Sequence, residues 1–260
     1  MARSRFRRLI DAQKEAKPRL PYVHTLDAYH FNNALEDGAI NPPPCKLFAN
    51  ENLLYLFYGR PSYRVNEKEL PSSLKHYLPV CFLFRNSAIT KIKRVFPFVS
   101  GAFAGRIYTS ALHEDMDLAD FALEPKPSTP GKVISLFYGS LEPYLFARPM
   151  QAIDIDAAEM EAAAYHALIS QRLSNVADDR ASAIEIQLEG KLDFRKSVDA
   201  VVLPNTIADS KIVRQRLKAM KAEIIAYDEL DRRRPNEYVT QIFDLCIEFY
   251  KRRKFIQAAK

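Results

Sequence analysis

The chain reads as short apolar segments, broken by turn residues and interleaved with stretches of helical period. Positions 183–188 alternate most strictly: Ile184, Ile186 and Leu188 point one way, Glu185 and Gln187 the other. That is the period of a half-buried strand. Apolar runs of strand length recur at 22–25, 53–58, 77–84, 93–98, 133–138, 200–203 and 223–227. Helical spacing predicts helices at 4–17, 27–37, 156–174, 209–220 and about 236–255. The helix at 27–37 has the clearest ends. Asp27 suits its N-cap, Phe31, Ala34 and Leu35 form its stripe, and Gly38 suits a left-handed stop. Lys17-Pro18 halts the first helix, and the prolines of Asn41-Pro42-Pro43-Pro44 exclude helix and central strand. Residues 100–131 read as irregular connection. Strands and helices mix without strict βαβ alternation, which predicts an α+β fold. One domain is expected over 1–260, with a basic N-terminal helix in 1–20, a core in 21–205 and a helix–strand–helix tail in 206–260.

Composition supports a packed core. Hydrophobic residues make up 48% and aromatics 11%, and the charged share of 27% argues against disorder. Sixteen prolines against seven glycines predict defined loops. Cys45, Cys81 and Cys246 form no CxxC pair, so neither a disulfide framework nor a zinc site is indicated. Reduced, mostly buried thiols in the cytoplasm are expected. The N-terminus is basic but lacks the apolar core of a secretory signal. No run approaches the roughly 18 apolar residues that span a bilayer. The net charge of +6 permits an anionic partner without requiring one. Its excess lies at 3–8, 232–234 and 251–254, where a solvated face is the common reading.

Candidate chemistry concentrates in two blocks. The first is YVHTLDAYHFNNALEDGAINP followed by LLYLFYGRPSYR; the second is SAIEIQLEGKLDFRKSVDAVVLP. The first carries a strand-borne His24-Thr25, an amphipathic helix closed by Gly38 and an aromatic strand ending at Gly59. The second places Glu185 within an alternating strand, ahead of another apolar strand. Together they resemble the ADP-ribosyltransferase superfamily, in particular the DarT-like toxins and the histidine–tyrosine–glutamate class. The resemblance covers 20–65 and 180–205; residues 66–180 form an unassigned middle insert.

The resemblance implies a split, mixed or antiparallel sheet with flanking helices, and NAD as substrate. It implies ADP-ribose transfer to a nucleic-acid or protein acceptor, in a toxin or antiphage-defence setting with an antitoxin or defence-system partner. Cleaving the nicotinamide–ribose bond develops an oxocarbenium-like cation, which a carboxylate stabilises. Glu185 is the candidate. On the same basis His24, with Thr25, holds the adenosine-side ribose, and Tyr58, then Tyr63, stacks on nicotinamide. Arg60 and Arg64 bind the pyrophosphate, and Gln187 orients the acceptor. His24, Tyr58 and Glu185 should then converge on one cleft. Glu185 on the far side of the sheet from His24 counts against transfer.

Two rivals stand beside that reading. One is a catalytically silent nucleotide- or nucleic-acid-binding module. The other is a metal-dependent nuclease built on Asp115, Asp117 and Asp120. The acidic run also reads as the start of a short helix. The remaining histidines show no metal-ligand spacing, so no metal site is expected elsewhere. GxGxxG, GxxxxGK[ST] and GxSxG are absent from the sequence.

Overall fold

The computed structural model describes residues 4–62, 70–170 and 180–257. Within them the chain is mixed α+β. Its strands are β1 (Tyr22–Asp27), β2 (Ala39–Ile40), β3 (Leu54–Tyr58), β4 (Pro79–Phe84), β5 (Ile92–Phe96), β6 (Glu185–Leu188), β7 (Leu192–Asp193), β8 (Val198–Pro204) and β9 (Glu223–Tyr227). Seven form one sheet in the order β5-β6-β3-β1-β4-β8-β9, while β2 pairs with β7. All neighbours in the large sheet are antiparallel except β8 and β9. The helices are α1 (Arg5–Asp11), α2 (Ala28–Asp37), α3 (Ser100–Ala104), α4 (Thr129–Tyr138), α5 (Leu141–Leu145), α6 (Met160–Ser170), α7 (Phe194–Ser197), α8 (Asn205–Ala208), α9 (Lys211–Ala219) and α10 (Val239–Arg252). Among the described residues, no helix is long and apolar enough to cross a membrane.

Central strands are covered on both faces, which explains their continuous apolar runs. Every residue of β4 is buried. On one face, Phe31 of α2 packs against Phe82 at 5.5 Å between ring centroids. On the other, the thiol of Cys246 in α10 meets that of Cys81. The ends of α2 follow the sequence: Asp27 accepts from the His30 amide at 2.8 Å, and Gly38 turns left-handed at φ 66°.

Several elements depart from the sequence reading. The run at 133–138 lies in α4, not in a strand. It is buried on most sides, so no polar face reveals its helical period. Pro130 early in the helix and Gly139 after it mark the ends. Gly131 is required by close contact: a Cβ there would lie 2.6 Å from Cγ of Glu15 and 2.8 Å from the Ala16 carbonyl oxygen. The first helix ends at Asp11 rather than 17. Its basic face is largely neutralised, Arg5 pairing with Glu161 at 2.6 Å and Arg7 with Glu124 at 3.2 Å. The connection at 100–131 contains α3 and a 3₁₀ turn at Leu118–Phe121. The helix expected to 174 is described to Ser170; residues 171–174 lie outside the described residues.

One irregularity in the sheet positions the candidate site. β1 stays paired with β4 along its whole length, yet meets β3 at only two pairs, Tyr22–Tyr58 and Val23–Phe57. Beyond Val23 the two strands part.

Candidate functional site

The late glutamate strand lies close to the histidine strand, separated from it only by β3 in the order β6-β3-β1. Register then decides which side chains share a face. Val23 pairs with Phe57, and Phe57 with Glu185. Directly opposed residues point the same way and successive residues alternate. Glu185 therefore shares a face with Val23 and Thr25, and His24 points to the opposite face. This corrects the expectation of a single cleft walled by His24 and Glu185.

His24 lines a cavity of about 340 Å³ on the α2 side, where β1 and β3 separate. Leu26, Ala34, Ile40, Pro43 and Leu54 contribute apolar walls; Asn33, Asp37 and Asn41 add polar groups. No Lys or Arg is among the lining residues. Nδ1 of His24 lies 2.7 Å from the carbonyl oxygen of Tyr55. A carbonyl only accepts, so Nδ1 carries the proton and Nε2 offers a lone pair. Burial lowers the imidazole pKa to about 4, against the opposing effect of that carbonyl. The ring is neutral at physiological pH.

Glu185 is buried on the other face at 1% exposure. Its Oε1 accepts from the Ser100 hydroxyl and from Nε2 of Gln187, both at 2.7 Å, and its Oε2 accepts from the Ser100 amide at 3.0 Å. Burial outweighs these three donors and raises the carboxyl pKa to about 7. A polar row continues from Gln187. Arg94 donates to Gln187 at 3.2 Å and, through two nitrogens, to Glu51 at 2.6 and 2.7 Å. The Arg94 contact holds Glu51 at about 2. Cys45 Sγ lies 2.9 Å from the Tyr55 hydroxyl and accepts from the Leu47 and Phe48 amides. Burial pushes this thiol up, but the three contacts outweigh it and leave the pKa below the usual value. Thr25, Tyr55 and Phe57 are half-buried on this face.

No protein-family model matches the chain, and no curated protein matches it. Geometry therefore carries the functional reading.

Other proposed site residues have structural surroundings. Tyr58 is fully buried, its ring edge-on to Tyr22 at 5.6 Å and its hydroxyl accepting from the Leu20 amide at 2.9 Å. It has no open ring face for nicotinamide. Arg60 is 4% exposed and donates to the carbonyls of Tyr144 at 2.9 Å and Leu145 at 2.5 Å, so it ties two segments together rather than facing a pyrophosphate. Tyr63 and Arg64 lie outside the described residues. Gln187 shares the Glu185 face and contacts its carboxylate. The acidic run forms a helix start, with the Asp117 amide donating to Asp120 at 3.0 Å. Among the described residues no cluster of three or more His, Cys, Asp or Glu side chains is arranged to hold a metal.

Tyr55, Glu51, Arg94 and Ser100 were missed from sequence. Tyr55 was within reach, because it sits two positions from Phe57 on the half-open face of β3. Ser100 gave no sequence signal of its partner, 85 positions away.

Proposed function

We propose that the chain binds a nucleoside-containing small molecule, with NAD the first candidate, and that its base and ribose occupy the His24 cavity. The carrying observation is an apolar cavity of about 340 Å³ with a neutral imidazole in its wall. The volume falls in the usual range for small-ligand sites. The free Nε2 lone pair selects an N–H or O–H donor. Asp37 favours hydroxyl donors, and the lack of a lining cation keeps phosphates outside. Calorimetric titration with adenosine, NAD and inorganic phosphate tests this. Adenosine and NAD should bind and phosphate alone should not; absence of binding by both nucleoside ligands ends the reading.

A second reading keeps ADP-ribose transfer, with Glu185 stabilising the ribosyl cation. It is supported by the adjacency of β6, β3 and β1 and by a buried carboxyl raised to about 7. Against it stands the placement of His24 and Glu185 on opposite faces. Turnover would require the start of α3 to move off Glu185. Labelled NAD supplied with nucleic-acid and protein acceptors tests it: turnover by wild type, lost in Glu185→Gln with binding retained, supports transfer. Binding without turnover leaves the chain a nucleotide-binding module.

A further inference from the structure

A basic surface forms where the parallel strands β8 and β9 begin. Their register pairs Ala200 with Glu223, so the connections entering both strands lie at one end of the sheet. The end of α10 reaches the same place. Arg252 and Arg253 both donate to Glu223. Arg253 also lies 3.9 Å from Asp199, which pairs with Arg85 at 3.6 Å. Asp199 and Glu223 are thus each shared by two arginines.

Around this network stand cations without such neutralisation. Lys196 precedes β8; Lys218 and Lys221 precede β9. All three are exposed and carry no ion pair among the described residues. From 211 to 222 the sequence KIVRQRLKAMKA has no acidic residue. Its apolar positions Val213, Leu217 and Met220 turn inward, which leaves the basic positions outside. The N-terminal cations are different, since Arg5 and Arg7 are paired with Glu161 and Glu124.

We infer that this end of the sheet binds the sugar–phosphate backbone of a nucleic acid, through Lys196, Lys218 and Lys221 with Arg252 and Arg253 behind them. A charged polymer of regular phosphates fits an excess of cations spread over three neighbouring elements. A membrane surface fits less well. Of the exposed large apolar residues on these elements, Ile212 sits at the start of α9 and Leu230 past the end of β9, not at the strand starts where a lipid anchor would be needed.

The test uses the full chain, labelled single-stranded and duplex oligonucleotides, and fluorescence anisotropy over a salt series. Wild type should bind without marked sequence preference and weaken steeply with salt. The triple variant Lys196→Glu, Lys218→Glu, Lys221→Glu should lose about 10- to 100-fold in affinity near ~0.1 M salt, and its log–log salt slope should fall by about 2–3. A control reversal of Lys14 and Arg106 should keep wild-type binding, and circular dichroism reports folding of each variant. No oligonucleotide binding, equal binding by the triple variant, or equal loss in the control overturns the inference. So does binding to anionic phosphatidylserine vesicles in place of either oligonucleotide.

Discussion

His24 and Tyr55 meet where β1 and β3 separate, the imidazole donating from Nδ1 to the Tyr55 carbonyl at 2.7 Å. The bond does two things. It fixes the tautomer, leaving Nε2 to accept from a ligand. It also joins the two halves of the candidate site, because the Tyr55 backbone serves the cavity while its side chain lies on the face of Glu185 and Gln187.

Glu185 should weaken the fold when ionised. Its folded pKa of about 7 lies above the ordinary 4.5, so the folded chain holds a proton that the unfolded chain releases between those values. Stability attributable to this group falls as pH rises from about 4.5 to 7. Glu185→Gln should therefore be more stable than wild type at pH 8, by on the order of 2 kcal/mol, with the gain shrinking toward pH 4. Denaturant melts at both pH values check this; a destabilised variant at pH 8 would show that the ionised carboxylate serves as a structural staple.

His24 works in the opposite direction. Its folded pKa of about 4 lies below the ordinary 6.5, so the unfolded chain takes up the proton first. Stability from the neutral ring is complete above about pH 6.5 and is lost as pH falls toward 4. His24→Phe keeps an aromatic ring without a titrating nitrogen. It should flatten that part of the stability–pH profile by on the order of 2 kcal/mol. An unchanged profile would mean that the ring is charged or hydrated in the folded chain.

Tyr58 and Arg60 should affect folding and leave ligand binding unchanged. Tyr58→Phe strands the buried Leu20 amide and should cost about 1–3 kcal/mol. Arg60→Ala removes the donor to two carbonyls and should cost about 2–4 kcal/mol. Denaturant titration gives the stabilities and calorimetry the affinity. A variant of normal stability with tenfold weaker NAD binding would return that residue to the binding site.

Cys45 should be the first thiol to react. It is half-buried and its pKa is lowered, whereas Cys81 and Cys246 are fully enclosed. Limited alkylation followed by peptide mass analysis should label Cys45 first in the native chain. Equal labelling of all three in the native chain would refute the arrangement.

Local signals in the sequence carried far. Asp27, Phe31 and Gly38 delimited α2, and the alternation around Glu185 assigned Gln187 to its face. Where a segment is apolar on every side, period is silent. That is why α4 has the sequence signature of a strand, and why LLYLFY does not distinguish Tyr58, which points inward with Leu54 and Leu56, from the half-buried Tyr55. The relation of His24 to Glu185 was beyond reach, because it depends on the pairing of both strands with β3, and a shift of one residue exchanges the faces. The partners of Glu185 and Arg94 lie 85 and 43 positions away, and only the folded sheet brings them in.

Nitrogen NMR of the His24 ring, on protein labelled at histidine, reads the proposed contact directly. Without ligand the ring should show protonated Nδ1 and bare Nε2 down to about pH 5. Saturating adenosine or NAD should shift the Nε2 resonance in the direction of an accepted hydrogen bond and leave Nδ1 protonated. Ligand binding that leaves Nε2 unmoved, or a ring already protonated at neutral pH, would contradict the assignment of this cavity.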